Sequence, residues 1–262
     1  MSLRITFLGT GTSHGVPMIG CTCSTCRSKD PRDKRLRSSL LLEKDGKRII
    51  IDTGPEFRLQ ALRVGLDSLD AILYTHAHAD HLNGIDDIRP LSRYHVLPLY
   101  GNETTIAQIR YRFSYAVDNA EKYGALPHLQ THVLRPYEIC NICGFPVQPV
   151  VLFHGNIEDF GYRIGKMAYL TDCSRIPPET YPYLHDLDLL VLDALQHHDH
   201  PTHFNIFQAI EEARKIGARQ TLFTHISHGL MHGRDSVLLP RNMAFAYDML
   251  SLELSEEDGE HE

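Results

Sequence analysis

Long apolar runs free of charge are missing from this 262-residue chain; the longest, such as Leu187 to Leu195, still carry aspartates. A transmembrane span is thereby excluded. An excess of positive charge is missing as well. The formal net charge is −7, and Glu253, Glu256, Glu257, Asp258, Glu260 and Glu262 supply six of those acids within the last twelve residues. Residues 1–250 therefore carry about −1, which leaves no global basic field for nucleic acid. The N-terminal stretch of Leu3, Ile5, Phe7 and Leu8 is interrupted by Arg4 and lacks a signal-like core or cleavage site, so a cytoplasmic protein is expected. The six cysteines, without a secretion signal, point to ligation or plain burial rather than a disulfide framework. There is no Pro/Ser-rich linker and no internal repeat. The expectation is a single domain over residues 1–252, followed by an acidic, disordered tail at 253–262.

What is abundant is histidine, with seventeen copies, many beside aspartate. Surfaces need few imidazoles and cores tolerate them poorly, so metal is the first suspect. Short apolar or alternating runs at 3–8, 39–43, 47–51, 71–74, 97–100, 147–153, 160–164, 167–171, 187–193 and 220–224 read as strands. Helical patterns run from Pro55 to Val64, Gly84 to Tyr94, Glu103 to Phe113 and Asn205 to Ile216, the first and last closed by Gly65 and Gly217. Hairpin-like links such as Lys44-Asp45-Gly46-Lys47 fit a purely parallel sheet badly. An α/β architecture of two mixed sheets flanked by helices fits better.

The run Tyr74-Thr75-His76-Ala77-His78-Ala79-Asp80-His81 lies between a strand and a helical stretch, at a junction where sites are built. In an extended loop His76 and His78 point the same way and can share one metal; the turn that follows swings Asp80 and His81 toward a second. Further ligands are available where apolar strands end, at His154, Asp172 and His225, each of which taken alone also reads as a turn or capping residue. Asp52 has the same placement. Its carboxylate either orients a ligand histidine from behind or caps the helix near Pro55. Three thiols, Cys21, Cys23 and Cys26, sit within six residues and need one distant partner for a tetrahedral zinc. His228, three residues beyond His225, completes a Cys3His set that would pin the N-terminal loop to that strand end.

Asp52-Thr53-Gly54, HxHxDH at 76–81, His154-Gly155, Asp172 and His225, in that order, resemble the metallo-β-lactamase fold. The resemblance implies an αββα sandwich with a dinuclear site at one edge. In it His76, His78 and His154 hold one metal, Asp80, His81 and His225 the other, and Asp172 bridges. The all-N/O ligand set suits Zn²⁺ or Mn²⁺. CxCxxC after a Gly-rich first turn, the Thr224-His225-Ile226-Ser227-His228 element and Gly84-Ile85-Asp86-Asp87-Ile88-Arg89-Pro90 resemble the PhnP group of cyclic phosphodiesterases. By that resemblance His203, in His203-Phe204-Asn205, is the general acid, with His200 and His197 as competitors. The implied activity is hydrolysis of a small phosphodiester such as 5-phosphoribosyl 1,2-cyclic phosphate, with Asp80 and His203 in the catalytic set and one structural Zn²⁺ in the 21–26 loop.

Arg89, Arg93 and the Arg27–Arg37 segment are candidates for a cationic contact to the substrate. A homodimer is suggested by relatives. Nucleic acid is not expected as a partner, because a tRNA 3′-processing nuclease would carry an extended basic arm and lack the cysteine cluster. A PqqB-like binding protein or pseudoenzyme is the alternative of another class, and the full ligand inventory argues against it. Cys140-Asn141-Ile142-Cys143-Gly144 reads as a hairpin turn, and Cys173 as a small buried residue. His14 reads as either a turn residue or a group facing the site.

Overall fold

The computed structural model describes residues 2–117 and 128–255. In chain order its strands are β1 Ser2–Gly9, β2 Ser39–Lys44, β3 Lys47–Ile51, β4 Ala71–Leu73, β5 Leu97–Gly101, β6 Leu129–Val133 and β7 Cys140–Ile142. They continue with β8 Phe145–His154, β9 Ile157–Ile164, β10 Met167–Leu170, β11 Leu189–Asp193, β12 Gln220–Thr224, β13 Met243–Phe245 and β14 Ser251–Ser255. The α-helices are α1 Ser24–Arg27, α2 Phe57–Val64, α3 Ala79–Leu82, α4 Glu103–Arg112, α5 Ile206–Ile216 and α6 His232–Asp235. Two seven-stranded sheets form, in the orders β14-β1-β2-β3-β4-β5-β6 and β13-β12-β11-β10-β9-β8-β7. Each is mixed: β14 to β3 and β7 to β10 pair antiparallel, whereas β3 to β6 and β10 to β13 pair parallel.

Period-two alternation builds the layers. On the first sheet Phe7, Leu40, Leu42, Ile49, Ile51 and Leu73 join the core that also holds Tyr162, Tyr169 and Val191 of the second. Their neighbours Leu8, Leu41, Ile50 and Ile72 point to the other face, where Phe57 of α2 and Ile106 and Ile109 of α4 cover them. On the second sheet Leu190, Leu192 and Phe223 are covered by Ile206, Ala209, Ile210 and Ala213 of α5. That stripe at i, i+3, i+4 and i+7 is the apolar face of an amphipathic helix, each large side chain contributing about 1.5–3 kcal/mol of burial. The Asn205–Gln208 capping box starts α5 and left-handed Gly217 ends it. The result is the expected αββα sandwich. Among the described residues no helix is long and apolar enough to cross a membrane.

Two expectations need correction. The helix drawn from Gly84 to Tyr94 is only a 3₁₀ turn over Ile85–Ile88. Pro90 has no N–H to continue it, and the Ser92 hydroxyl donates back to the carbonyl of Ile88. The tail set at 253–262 begins too early. Glu253, Leu254 and Ser255 belong to β14, which adds to the sheet edge with Arg4 opposite Glu253 while Leu252 and Leu254 pack on the core. The remainder of that tail lies outside the described residues. The hairpin at 140–144 is found as drawn, with β7 turning into β8.

Candidate dinuclear metal centre

The strand ends converge at one edge of the sandwich. Asp52 follows β3, Thr75 and His76 follow β4, His154 ends β8, Asp172 follows β10, Asp193 ends β11 and His225 follows β12. Three of these residues, Asp52, Asp172 and His225, hold positive φ of 63°, 51° and 57°. That region is uncommon for residues with a Cβ, and such strain clusters where a side chain must be aimed. After His78 the chain turns into α3, which carries Asp80 and His81 over the Asp52–Gly54 loop. The approach is so close that a Cβ on Gly84 would lie 2.3 Å from the Gly54 carbonyl oxygen, and one on Gly54 would lie 2.2 Å from that of Asp80. Glycine at both places lets the two loops touch.

Asp172 lies between two groups of donors. Its Oδ2 is 3.6 Å from His76 Nε2 and 4.0 Å from His154 Nε2, and His78 Nδ1 lies 3.0 Å from His76 Nε2. Its Oδ1 is 3.3 Å from His81 Nε2 and 3.2 Å from His225 Nε2. Asp80 Oδ2 completes the second group, 3.2 Å from His81 Nε2 and 3.7 Å from His225 Nε2. Within each group of four the ligand atoms lie within 4.8 Å of one another. The structure thus brings all seven expected side chains together, with one oxygen of Asp172 facing each set.

These residues fit divalent metals on a separate observation: the Nε2 atoms of His81 and His225 are buried and have no hydrogen-bond partner. Buried polar atoms are rarely left so, and here both point at carboxylates across a gap of ligand size. Burial opposes charge on His81, yet the carboxylates of Asp172, Asp80 and Asp52 hold its pKa well above the ordinary histidine value. Burial pushes His76 well below that value, and the charge of His81 adds to the effect. For Asp172, burial is outweighed by His225 and His81, which hold its carboxyl well below the usual range.

The atoms behind the ligands are also placed. His81 Nδ1–H donates to Asp52 Oδ2 at 2.8 Å, and the Thr75 hydroxyl donates to the same oxygen at 2.8 Å. The Thr75 backbone N–H donates to Asp52 Oδ1 at 2.9 Å. Asp52 therefore takes the orienting role rather than the helix-capping one; Glu56 stands at the cap of α2. His154 Nδ1–H donates to the Thr202 carbonyl at 2.7 Å.

Asp193, which the sequence reading did not single out, lies fully buried with Oδ2 accepting from His203 Nδ1 at 3.0 Å and from the Cys173 N–H at 3.0 Å. An apolar strand ending in a carboxylate, the same signal as at Asp52 and Asp172, marks it. His203 stacks on His225 at 4.7 Å between ring centroids and meets His154 at 4.6 Å. Burial opposes its protonation, but Asp193 outweighs burial and lifts its pKa to about 9. Of the competitors, His200 is exposed, its ring 5.1 Å from that of His203, and accepts from the Thr202 N–H and hydroxyl, whereas His197 pairs with Asp235 at 3.3 Å. His14 is exposed and belongs to none of the ligand groups found among the described residues.

Cys21, Cys23, Cys26 and His228 form a separate group. His228 Nδ1 is 3.3 Å from Cys21 Sγ and 3.4 Å from Cys23 Sγ. The backbone N–H of Cys26 donates to Cys23 Sγ, and that of Met18 to Cys26 Sγ, each at 3.4 Å. The first of these is the main reason the Cys23 thiol falls to about 6, whereas burial pushes Cys26 up to about 11. Ile226 N–H donates to the Thr10 carbonyl and Thr12 N–H to that of Ile226, tying the N-terminal loop to the turn that carries His225.

An αββα sandwich with this donor set at its strand-end edge defines a metallo-β-lactamase-fold protein. The model of the Beta-lactamase superfamily domain matches residues 47–226, and the chain belongs to that superfamily. Within it the branch is the PhnP family. A crystal structure of a new diphosphatase from that family is 44% identical, covers 97% of this chain and 98% of its own, and superposes with a TM-score of 0.91. The octanoyltransferase of Porphyromonas gingivalis is 39% identical over 257 residues, 97% of this chain, but this chain spans only 52% of that relative's length. A shorter match is the ribonuclease Z of Bradyrhizobium diazoefficiens, 41% identical over 83 residues, 31% of this chain and 22% of its own. The chain thus carries a metallo-β-lactamase-fold domain with a donor set for divalent metals.

Proposed function

We propose that the chain hydrolyses a small phosphodiester, with a five-membered cyclic phosphate on a phosphorylated sugar, such as 5-phosphoribosyl 1,2-cyclic phosphate, as the substrate class. His76, His78, His154 and Asp172 would hold one divalent cation, and Asp80, His81, His225 and Asp172 the other, as Zn²⁺ or Mn²⁺. When bound, such a pair supplies Lewis acidity toward phosphoryl oxygens and lowers the pKa of water. The observation that carries the reading is the position of His203, pressed against one histidine of each group and hydrogen-bonded through Nδ1 to Asp193.

His203 donates its Nε2 proton to the departing alkoxide oxygen as the P–O bond breaks, while Nδ1–H stays on Asp193. Asp80, the most exposed carboxylate of the centre, takes one proton from the attacking water as the water oxygen bonds to phosphorus, and that proton returns through solvent to His203 once the alcohol has left. The products are a phosphomonoester and a free hydroxyl.

Among the arginines expected to touch substrate, Arg35 is buried and donates to Thr10 Oγ1 and the Ala246 carbonyl. Arg37 pairs with Glu56 and donates to the Ser13 carbonyl, and Arg89 pairs with Asp86 at 3.0 Å. Arg112 is better placed for a second phosphate. It is exposed, and its Nη1 donates at 2.6 Å to the carbonyl of Ala77, between the ligand histidines 76 and 78.

Metal-stripped protein reloaded with Mn²⁺ or Zn²⁺ is assayed on the cyclic sugar phosphate, an aryl phosphodiester, a nucleoside diphosphate and a tRNA precursor. Turnover of the cyclic sugar phosphate above the others supports the reading. Preference for the diphosphate moves it toward the diphosphatase relative, and cleavage of the tRNA precursor toward the ribonuclease. No turnover of any substrate with the centre loaded leaves a binding protein.

A further inference from the structure

Asp159 is a buried carboxylate that the site as described leaves without a partner. It sits on β9, its side chain is 1% exposed, and neither carboxyl oxygen makes a hydrogen bond. It occupies a strand position opposite Leu152, where an apolar residue would be the ordinary choice. Buried unpaired polar groups in a native fold call for an explanation.

Its surroundings supply one. Asp159 Oδ2 lies 3.9 Å from Nδ1 of His76, on the side of the ring away from Nε2, which faces Asp172. Other ligand histidines have an acceptor behind them: Asp52 for His81 at 2.8 Å and the Thr202 carbonyl for His154 at 2.7 Å. Behind His76 the close contact is the Thr75 hydroxyl at 3.0 Å, whose own proton is committed to Asp52. A hydroxyl oxygen is a weaker acceptor than a carboxylate and carries no charge to offset a cation on the far side of the ring.

We propose that Asp159 is a positioning residue, the carboxylate that backs His76 and sets the affinity of the His76, His78 and His154 group for its divalent cation. The inference rests on the dinuclear reading of the centre. It also assigns a cost: the metal-free fold carries an unpaired acid in its core for the sake of metal binding.

The test is equilibrium dialysis of stripped wild type, Asp159→Asn, Asp159→Ser and His76→Ala against buffered Zn²⁺, with bound metal counted, and visible spectra of the Co²⁺-loaded forms. Wild type should take two equivalents at the centre besides the one held by the cysteines. Both Asp159 variants should lose about 10–100-fold in affinity for one centre equivalent, the same one that His76→Ala removes. Their Co²⁺ bands should shift, while the melting temperature of the stripped protein holds or rises. Wild-type affinity and unchanged Co²⁺ bands in both variants would overturn the inference. A wild type that takes up no metal at the centre would overturn the dinuclear reading itself, a result visible without any variant.

Discussion

Asp193 accepts the Nδ1–H of His203 at 3.0 Å, and the imidazole so held lies flat against His225. One carboxylate thereby chooses the tautomer of the proposed acid and raises its pKa. Replacing His203 with Ala should leave the metal content intact and lower kcat about 100–10,000-fold, the usual range for a lost general acid. Asp193→Asn should cost less in kcat. In metal-free protein it should bring the His203 titration down from about 9 toward the ordinary histidine value of 6.5, followed by NMR of the imidazole protons. The linkage has a definite sign. Because the folded pKa is the higher one, the pair contributes its full stability below about pH 6.5 and loses it as pH rises through about 9. Equal pH dependence of apo stability in wild type and Asp193→Asn would show that the pair does not titrate as described.

Asp52 reaches both ligand groups at once. It accepts directly from His81, and through the Thr75 hydroxyl it stands behind His76. Asp52→Asn keeps the shape but offers only one acceptor oxygen to three donors, so metal retention after dialysis against a chelator should fall about 10–100-fold. Both equivalents should weaken, whereas the inference about Asp159 predicts that only one does there. A loss confined to the second group would remove the Thr75 relay from the account.

The cysteine loop is tied to the centre through the backbone pairing of Thr10 and Thr12 with Ile226. Cys23→Ser should release one zinc of three and lower the melting temperature. It should also reduce turnover indirectly, since His225 and His228 sit on the same turn. Retention of all three metals by that variant would refute the Cys3His site.

Much of this was legible in the chain because local pattern and tertiary structure agree. Ile49-Ile50-Ile51 before Asp52 and Leu189 to Leu192 before Asp193 are fully buried strands. Such strands read as unbroken apolar runs when both faces are covered. The edge strands were not legible. In β14 Glu253 separates Leu252 from Leu254 at a half-exposed border, so charge disguised the alternation, and β13 is too short to show any. The seven ligand-type residues stood out through spacing or strand ends. Asp193 carries the same strand-end signal, whereas Asp159 carries none, because its role depends on His76 across the sandwich. Nothing local to Glu158-Asp159-Phe160 distinguishes a buried acid from a solvated one.

Arg112 tests whether the substrate carries a second anion. Its guanidinium is fixed on the Ala77 carbonyl by one nitrogen, and its other N–H groups have no hydrogen-bond partner among the described residues at the rim that carries the exposed His78. A charge-assisted contact at a partly exposed site contributes about 1.5–3 kcal/mol, or roughly 10–150-fold in affinity. Arg112→Ala should therefore raise KM by about that factor for the phosphorylated cyclic substrate and leave kcat nearly unchanged. For an aryl phosphodiester with no second phosphate both parameters should stay within about twofold, because the lost contact has nothing to bind. If the arginine only braces the 76–78 loop, the two substrates will suffer alike and metal retention will fall with them. Unequal losses at constant metal content place Arg112 on the substrate.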